Sequence, residues 1–184
     1  MSDIEKQTEQ RMKKSIKALE EEFQTIRTGR ASSAVFEKIK VEYYGNPTPL
    51  NQVATISIPE ARLVVIQPWD KSVISEIEKA IQKSELSLNP MNDGKVIRIN
   101  IPPLTEERRK EFVKVAKNAA EQARVAIRNI RRDANDELKK SQKNGDISED
   151  DEKRLEESIQ KLTDTYVEEI NQLLETKESE ILEH

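Results

Sequence analysis

Along most of this chain apolar residues recur in alternating steps of four and three; in one central stretch they alternate with polar ones instead. Met12, Ile16, Leu19, Phe23 and Ile26 step by four, three, four and three, the seam that an amphipathic helix buries. Ser2 and Glu5 stand at capping-box spacing and start that helix at Ser2, and Thr28-Gly29 ends it. A second helix begins after Pro102-Pro103, with Thr105 as N-cap and Glu106 and Glu107 on its first turn, where carboxylates suit the helix dipole. Its apolar stripe runs through Phe112, Ala116, Ala119, Ala123, Ala126 and Ile130, and Asn144-Gly145 closes it. Ser148 and Asp151 open a third helix, whose seam is Leu155, Ile159, Leu162, Tyr166, Ile170 and Leu173.

The second and third helices are each about 35–38 residues, on the order of 50–57 Å long. Their short connection makes them antiparallel neighbours, and the first helix returns alongside because its own apolar face needs cover. The pattern predicts an elongated up-down-up three-helix bundle. The alternative is a set of seams for a dimeric coiled coil, but three seams within one chain can satisfy each other.

The central stretch is an insert. All seven prolines lie between Pro47 and Pro103, and proline breaks helix interiors while marking turns and strand edges. Val35–Tyr44 reads as a strand ended by Gly45-Asn46-Pro47, and Val53–Ile58 and Leu63–Gln67 read as two more, interrupted by Pro59. Ser72–Ser84 reads as a short amphipathic helix with Val73, Ile74, Ile77, Ala80 and Ile81 inward. An Asp93-Gly94 turn then leads into an alternating strand over Lys95–Ile101. The fold class is therefore α+β: a discontinuous bundle domain (residues 1–30 and 104–184) carrying a small β/α/β domain (residues 31–103). Trp69 and Tyr44 are either contact residues or part of the insert's core and rim, and the core or rim is the favoured place.

Charge divides the chain in the same way. Residues 31–103 hold 8 Lys+Arg and 8 Asp+Glu; the other 111 residues hold 23 and 27. With no cysteine there are no disulfides and no thiolate metal sites. No apolar run reaches the roughly 18 residues of a membrane span, and the N-terminus lacks a secretory apolar region, which points to a cytoplasmic protein without a membrane partner. Leu182-Glu183-His184 reads as the stub of an expression tag, so the lone histidine receives no role. The four glycines stand alone at Gly29, Gly45, Gly94 and Gly145, with no phosphate-cradling loop. The acidic run Glu149-Asp150-Asp151-Glu152 sits at a helix start, where solvated charge explains it. No catalytic constellation, metal or cofactor is indicated.

One cationic line stands out. Lys110, Lys114, Lys117, Glu121, Arg124, Arg128 and Arg131 follow four-three spacing of their own on the second helix. The spacing puts them on one arc, expected to lie opposite the apolar stripe, with the acidic third helix facing elsewhere. From Glu106 to Arg132 nine cations meet four anions, net +5; from Asp133 onward seven meet seventeen, net −10. A solvated face supported by i,i+4 pairs would intersperse anions, yet Glu121 alone interrupts this one. Arginine forks suit phosphate, so the line is read as a nucleic-acid contact, RNA before base-specific duplex DNA. A prefoldin-like chaperone would expose apolar helix tips, but Lys143-Asn144-Gly145-Asp146 is polar.

Four blocks carry a resemblance. Arg27-Thr28-Gly29-Arg30-Ala31-Ser32, Val41-Glu42-Tyr43-Tyr44-Gly45-Asn46-Pro47-Thr48-Pro49-Leu50, Pro102-Pro103-Leu104-Thr105-Glu106-Glu107-Arg108-Arg109-Lys110 and residues 119–135 closely resemble the bacterial ribosome recycling factor family, end to end and in order. The resemblance implies an L-shaped molecule of tRNA-like dimensions with hinges at Thr28, Gly29, Arg30, Ala31 and at Pro102, Pro103, Leu104. It implies a non-enzymatic, monomeric factor that splits the post-termination ribosome together with elongation factor G, the GTP being bound by that partner. Arg109, Arg128 and Arg131 would then contact large-subunit ribosomal RNA, with Arg27 and Arg30 helping. Lys117 and Arg124 join this set from the charged line.

Overall fold

The structure is a computed structural model and describes residues 1–26 and 28–182. In chain order the elements are α1 (Asp3–Gln24), α2 (Ser33–Glu37), β1 (Lys40–Tyr43), β2 (Asn46–Pro49), β3 (Ala54–Glu60), β4 (Leu63–Pro68), α3 (Ile74–Lys83), β5 (Met91–Asn92), β6 (Ile97–Asn100), α4 (Glu106–Lys143) and α5 (Glu149–Leu182). The described residues form two compact units: 1–26 and 28 together with 105–182, and Gly29–Leu104.

The first unit is the three-helix bundle. Ser2 caps α1 through a reciprocal box, its hydroxyl accepting from the Glu5 N–H at 3.3 Å while Glu5 accepts from the Ser2 N–H. Met12, Ile16, Leu19, Phe23 and Ile26 are all buried. The helix stops at Gln24, short of the expected Thr28-Gly29. The Thr25 hydroxyl donates to the Glu22 carbonyl at 2.6 Å, and the Thr25 and Ile26 N–H groups donate to carbonyls three residues back. These bonds tighten the last turn and end the α-helical ladder.

Thr105 caps α4, accepting from the Arg108 N–H at 3.1 Å, and Ser148 opens α5 by accepting from the Asp151 N–H at 3.0 Å. One end of the unit gathers Ile4 from the start of α1, Ala134 and Leu138 from the end of α4, and Leu155 and Ile159 from the start of α5. That cluster fixes the up-down-up order. The core of α4 differs by one position from the expected stripe: Ile127 is fully buried, together with Ala120, whereas Ala126 is half-buried. Adjacent residues point about 100° apart, and the larger aliphatic side chain takes the inward place.

The insert is built on a four-stranded antiparallel sheet, order β3-β4-β6-β5, with a separate β1-β2 hairpin. Its core joins Phe36, Val41, Val64, Ile66, Ile77 and Ile99. Four expectations need correction. The first strand is shorter than Val35–Tyr44, because Ser33–Glu37 forms one helical turn that seats Phe36 in the core. The strand does end there, at Tyr43, but Asn46-Pro47 is not part of the break: Tyr44 and Gly45, with φ of 49° and 82°, make the tight turn, and Asn46–Pro49 returns as β2. Two positive φ angles in a two-residue loop match the twist of a hairpin. Pro59 does not interrupt β3; a register shift between Ser57 and Glu60 takes it up. Of the places expected for Trp69 and Tyr44, the core is excluded while the rim and contact readings stand. The two residues are 66% and 73% exposed, the indole N–H donating to Thr55 Oγ1 at 2.8 Å and the tyrosine hydroxyl to Asp70 Oδ2 at 3.0 Å.

Candidate nucleic-acid interface

Geometry follows from where α4 turns its core. Ala116, Ala119, Ala123, Ile127 and Ile130 face α1 and α5. Arg124 and Arg131 stand three residues before and four after Ile127, only about 40–60° round the helix from the core direction. The cationic line therefore borders the α4–α5 seam rather than lying opposite the apolar stripe. Arg124 Nε donates to Asn171 Oδ1 at 2.9 Å, and Arg131 Nη1 to Gln160 Oε1 at 3.3 Å, both partners on α5. The third helix thus does not face elsewhere. It offers two neutral amides to the arginines, while Gln160 in turn donates to Asp164 at 2.9 Å.

Within the line, Lys110, Lys114, Lys117 and Arg128 are exposed. Lys110 pairs with Glu106 at 3.7 Å. Arg124 is 22% exposed and Arg128 45%. Glu121 joins them: Oε2 lies 2.9 Å from Arg124 Nη1 and Oε1 lies 2.7 Å from Arg128 Nη2. Hydrogen bonds from Arg124 first and Arg128 second hold the Glu121 carboxyl below its ordinary value.

The other sequence-predicted candidates do not belong to this line. Arg109 is half-buried and, seven residues before Ala116, lies on the core side of α4. Arg30 is exposed and belongs to the insert unit. Arg27, Glu183 and His184 lie outside the described residues. Asn171 and Gln160 escaped the sequence reading, since nothing local tells which α5 amide will meet which α4 arginine.

In the insert unit Ala31, the last residue of one expected hinge, and Ile101, just before the other, are tied to one turn. The Ala31 N–H donates to the Ala61 carbonyl at 2.7 Å, and the Ile101 N–H to the Arg62 carbonyl at 2.8 Å. Gly29 has φ 78°. Among the described residues no cluster of His, Cys, Asp or Glu could hold a metal ion, and no helix is long and apolar enough to cross a membrane.

The family model described as ribosome recycling factor matches residues 19–182. A ribosome-recycling factor of Treponema denticola is 61% identical over 184 residues, 100% of both chains, an overlap that takes in the terminal residues read above as a tag stub. One of Halalkalibacterium halodurans is 63% identical over 175 residues, 95% of each chain. A solution structure of the ribosome recycling factor is similar with TM-score 0.75 and 49% identity, covering 98% of this chain and 96% of that one. Models of the T. thermophilus ribosome recycling factor and the E. coli elongation factor G bound to the E. coli post-termination complex match with TM-score 0.63 and 50% identity, covering 98% of each chain. From a capped three-helix bundle carrying an antiparallel insert to an overlap of nearly the whole length, these observations agree: the chain belongs to the ribosome recycling factor family.

Proposed function

We propose that this protein binds the post-termination ribosome through large-subunit ribosomal RNA and, with elongation factor G and GTP, drives the subunits apart for a new round of translation. The observation that carries the RNA contact is the exposed cationic border of α4, where Lys117, Arg128 and Arg131 project beside the α5 seam. Counterion release from ribosomal RNA supplies the affinity, and the α5 groups that meet Arg124 and Arg131 are the neutral amides of Asn171 and Gln160. Arg124 orients the border. Arg109, Arg27 and Arg30 join the contact by family resemblance.

The insert is the part the translocase moves. Thr28–Ala31 and Pro102–Leu104 act as the hinge, since Pro102-Pro103 cannot extend α4 and Gly29 holds a conformation open to few residues. A long bundle of three helices is stiff enough to carry that motion into the bridges between subunits. The factor is a cytoplasmic monomer that catalyses nothing itself; GTP is bound and hydrolysed by its partner.

Light scattering of post-termination ribosomes tests this, with the protein, elongation factor G and GTP each omitted in turn. Splitting that needs all three and fails with Arg128→Glu/Arg131→Glu is the expected result. Splitting at full rate with that charge-reversed variant would remove the α4 border from the site.

A further inference from the structure

Glu121 is the one carboxylate inside a line of six cations, and its two oxygens are each taken by a different arginine. We propose that Glu121 holds the place of an RNA phosphate between Arg124 and Arg128, is displaced when the bundle docks, and thereby sets how tightly the factor holds the ribosome. This rests on the reading of the α4 border as the RNA contact.

The two arginines are not equivalent. Arg124 is mostly covered and is anchored on both sides, through Nε to Asn171 and through Nη1 to Glu121. It keeps its aim whether or not Glu121 stays. Arg128 stands one turn further along, is more exposed, and pairs with Glu121 at 2.7 Å. A carboxylate and a phosphate present the same kind of paired oxygen acceptors to guanidinium groups, so the space Glu121 fills between the two forks is chemically a phosphate space. The Glu121–Arg128 pair is solvent-exposed on both sides and the Glu121–Arg124 pair on the carboxylate's side, and exposed pairs break at low cost. An RNA phosphate arriving with its neighbours on Lys117 and Arg131 can therefore push the carboxylate out. The carboxylate then competes for Arg128 in the bound state and keeps the complex releasable. A factor that must leave after each round gains from that competition.

The test is binding of the full-length protein to isolated large ribosomal subunits across about 50–300 mM KCl, a range in which phosphate contacts change affinity strongly. Glu121→Gln keeps the length and helix preference of the side chain, and far-UV circular dichroism checks the fold. The expected result is binding about 3–10-fold tighter at low salt, with a salt slope steeper by about 0.7–0.9. The same substitution in an Arg128→Gln background should bring less than about a 2-fold gain, because coupled partners do not add. Unchanged or weaker binding by Glu121→Gln overturns the proposal. So does a full gain in the Arg128→Gln background, which would mean that only bulk charge changed. An Arg128→Gln protein that binds subunits like the parent would instead remove the RNA-contact reading beneath it, so the two failures are told apart.

Discussion

Gly29 packs against Leu104: a Cβ built on the glycine would stand 3.4 Å from the leucine Cγ and 3.5 Å from its backbone nitrogen. The two segments that bound the insert touch there, next to the turn to which Ala31 and Ile101 are hydrogen-bonded. The glycine also sits at φ 78°, where a side chain costs about 1–2 kcal/mol. Gly29→Ala should therefore destabilise the insert by about that amount. Trp69 is the chain's only tryptophan and lies in the insert, so its fluorescence in a denaturant titration reads this unit alone. A lower fluorescence midpoint is expected, and an unmoved one would show that the backbone relaxes into another conformation.

Ile127 fills the α4 core where periodicity had pointed to Ala126. Ile127→Ala removes a fully buried side chain and should cost about 2–5 kcal/mol. Ala126→Ser, at a half-buried position beside it, should cost no more than about 0.5–1 kcal/mol. Thermal melts followed by far-UV circular dichroism at 222 nm compare the two. Equal melting temperatures would move the core back to the periodic prediction.

These two positions show what a single sequence carries. Caps were legible because they are local: Ser2, Thr105 and Ser148 each act on a backbone N–H three residues away. The seams of α1 and α5 were legible because their steps repeat over several turns. Ala126-Ile127 was not, since two adjacent apolar residues both fit the period and only the neighbouring helices decide between them. Likewise Ser33–Glu37 hid in a β-branched and aromatic run, and Phe36 bends it into a helical turn by filling the insert core. The two residues of β5 exist through their pairing with β6, not through any pattern of their own. At the candidate interface the cations were legible as charge, whereas Asn171 and Gln160 come from a helix almost thirty residues or more away. Their pairing is a property of the packed seam.

Asp93 makes the insert sensitive to acid. Its carboxylate accepts from the Val96 and Lys95 N–H groups at 2.8 and 2.9 Å and pairs with Arg98. The two backbone bonds, Val96 first, and then Arg98 hold it far below the usual carboxylate range. A carboxyl depressed on folding stabilises above its unfolded value, about 3.9, and that stability fades as pH falls through the folded value. Asp93→Asn should lower insert stability at neutral pH and flatten its decline below about pH 4. Trp69 fluorescence along an acid titration reads this. Parallel curves for the two proteins would mean that the turn gains nothing from the charge.

Arg131 differs from Arg124 in having a longer bond to its α5 partner, 3.3 Å to Gln160 against 2.9 Å to Asn171. Little is lost within the fold when such a contact goes, so Arg131→Ala should melt within about 0.5 kcal/mol of the parent. Arg131 is half-buried at the edge of the seam. Removing it should weaken binding to large ribosomal subunits and reduce the salt slope by about 0.7–0.9, the share of one phosphate contact. Arg124→Ala, by contrast, releases Asn171 and Glu121 together and should lower thermal stability as well as affinity. Measuring melting temperature and salt slope on both variants separates the two roles. An Arg131→Ala protein with unchanged slope and affinity would take Arg131 out of the interface and leave the contact to Lys117 and Arg128.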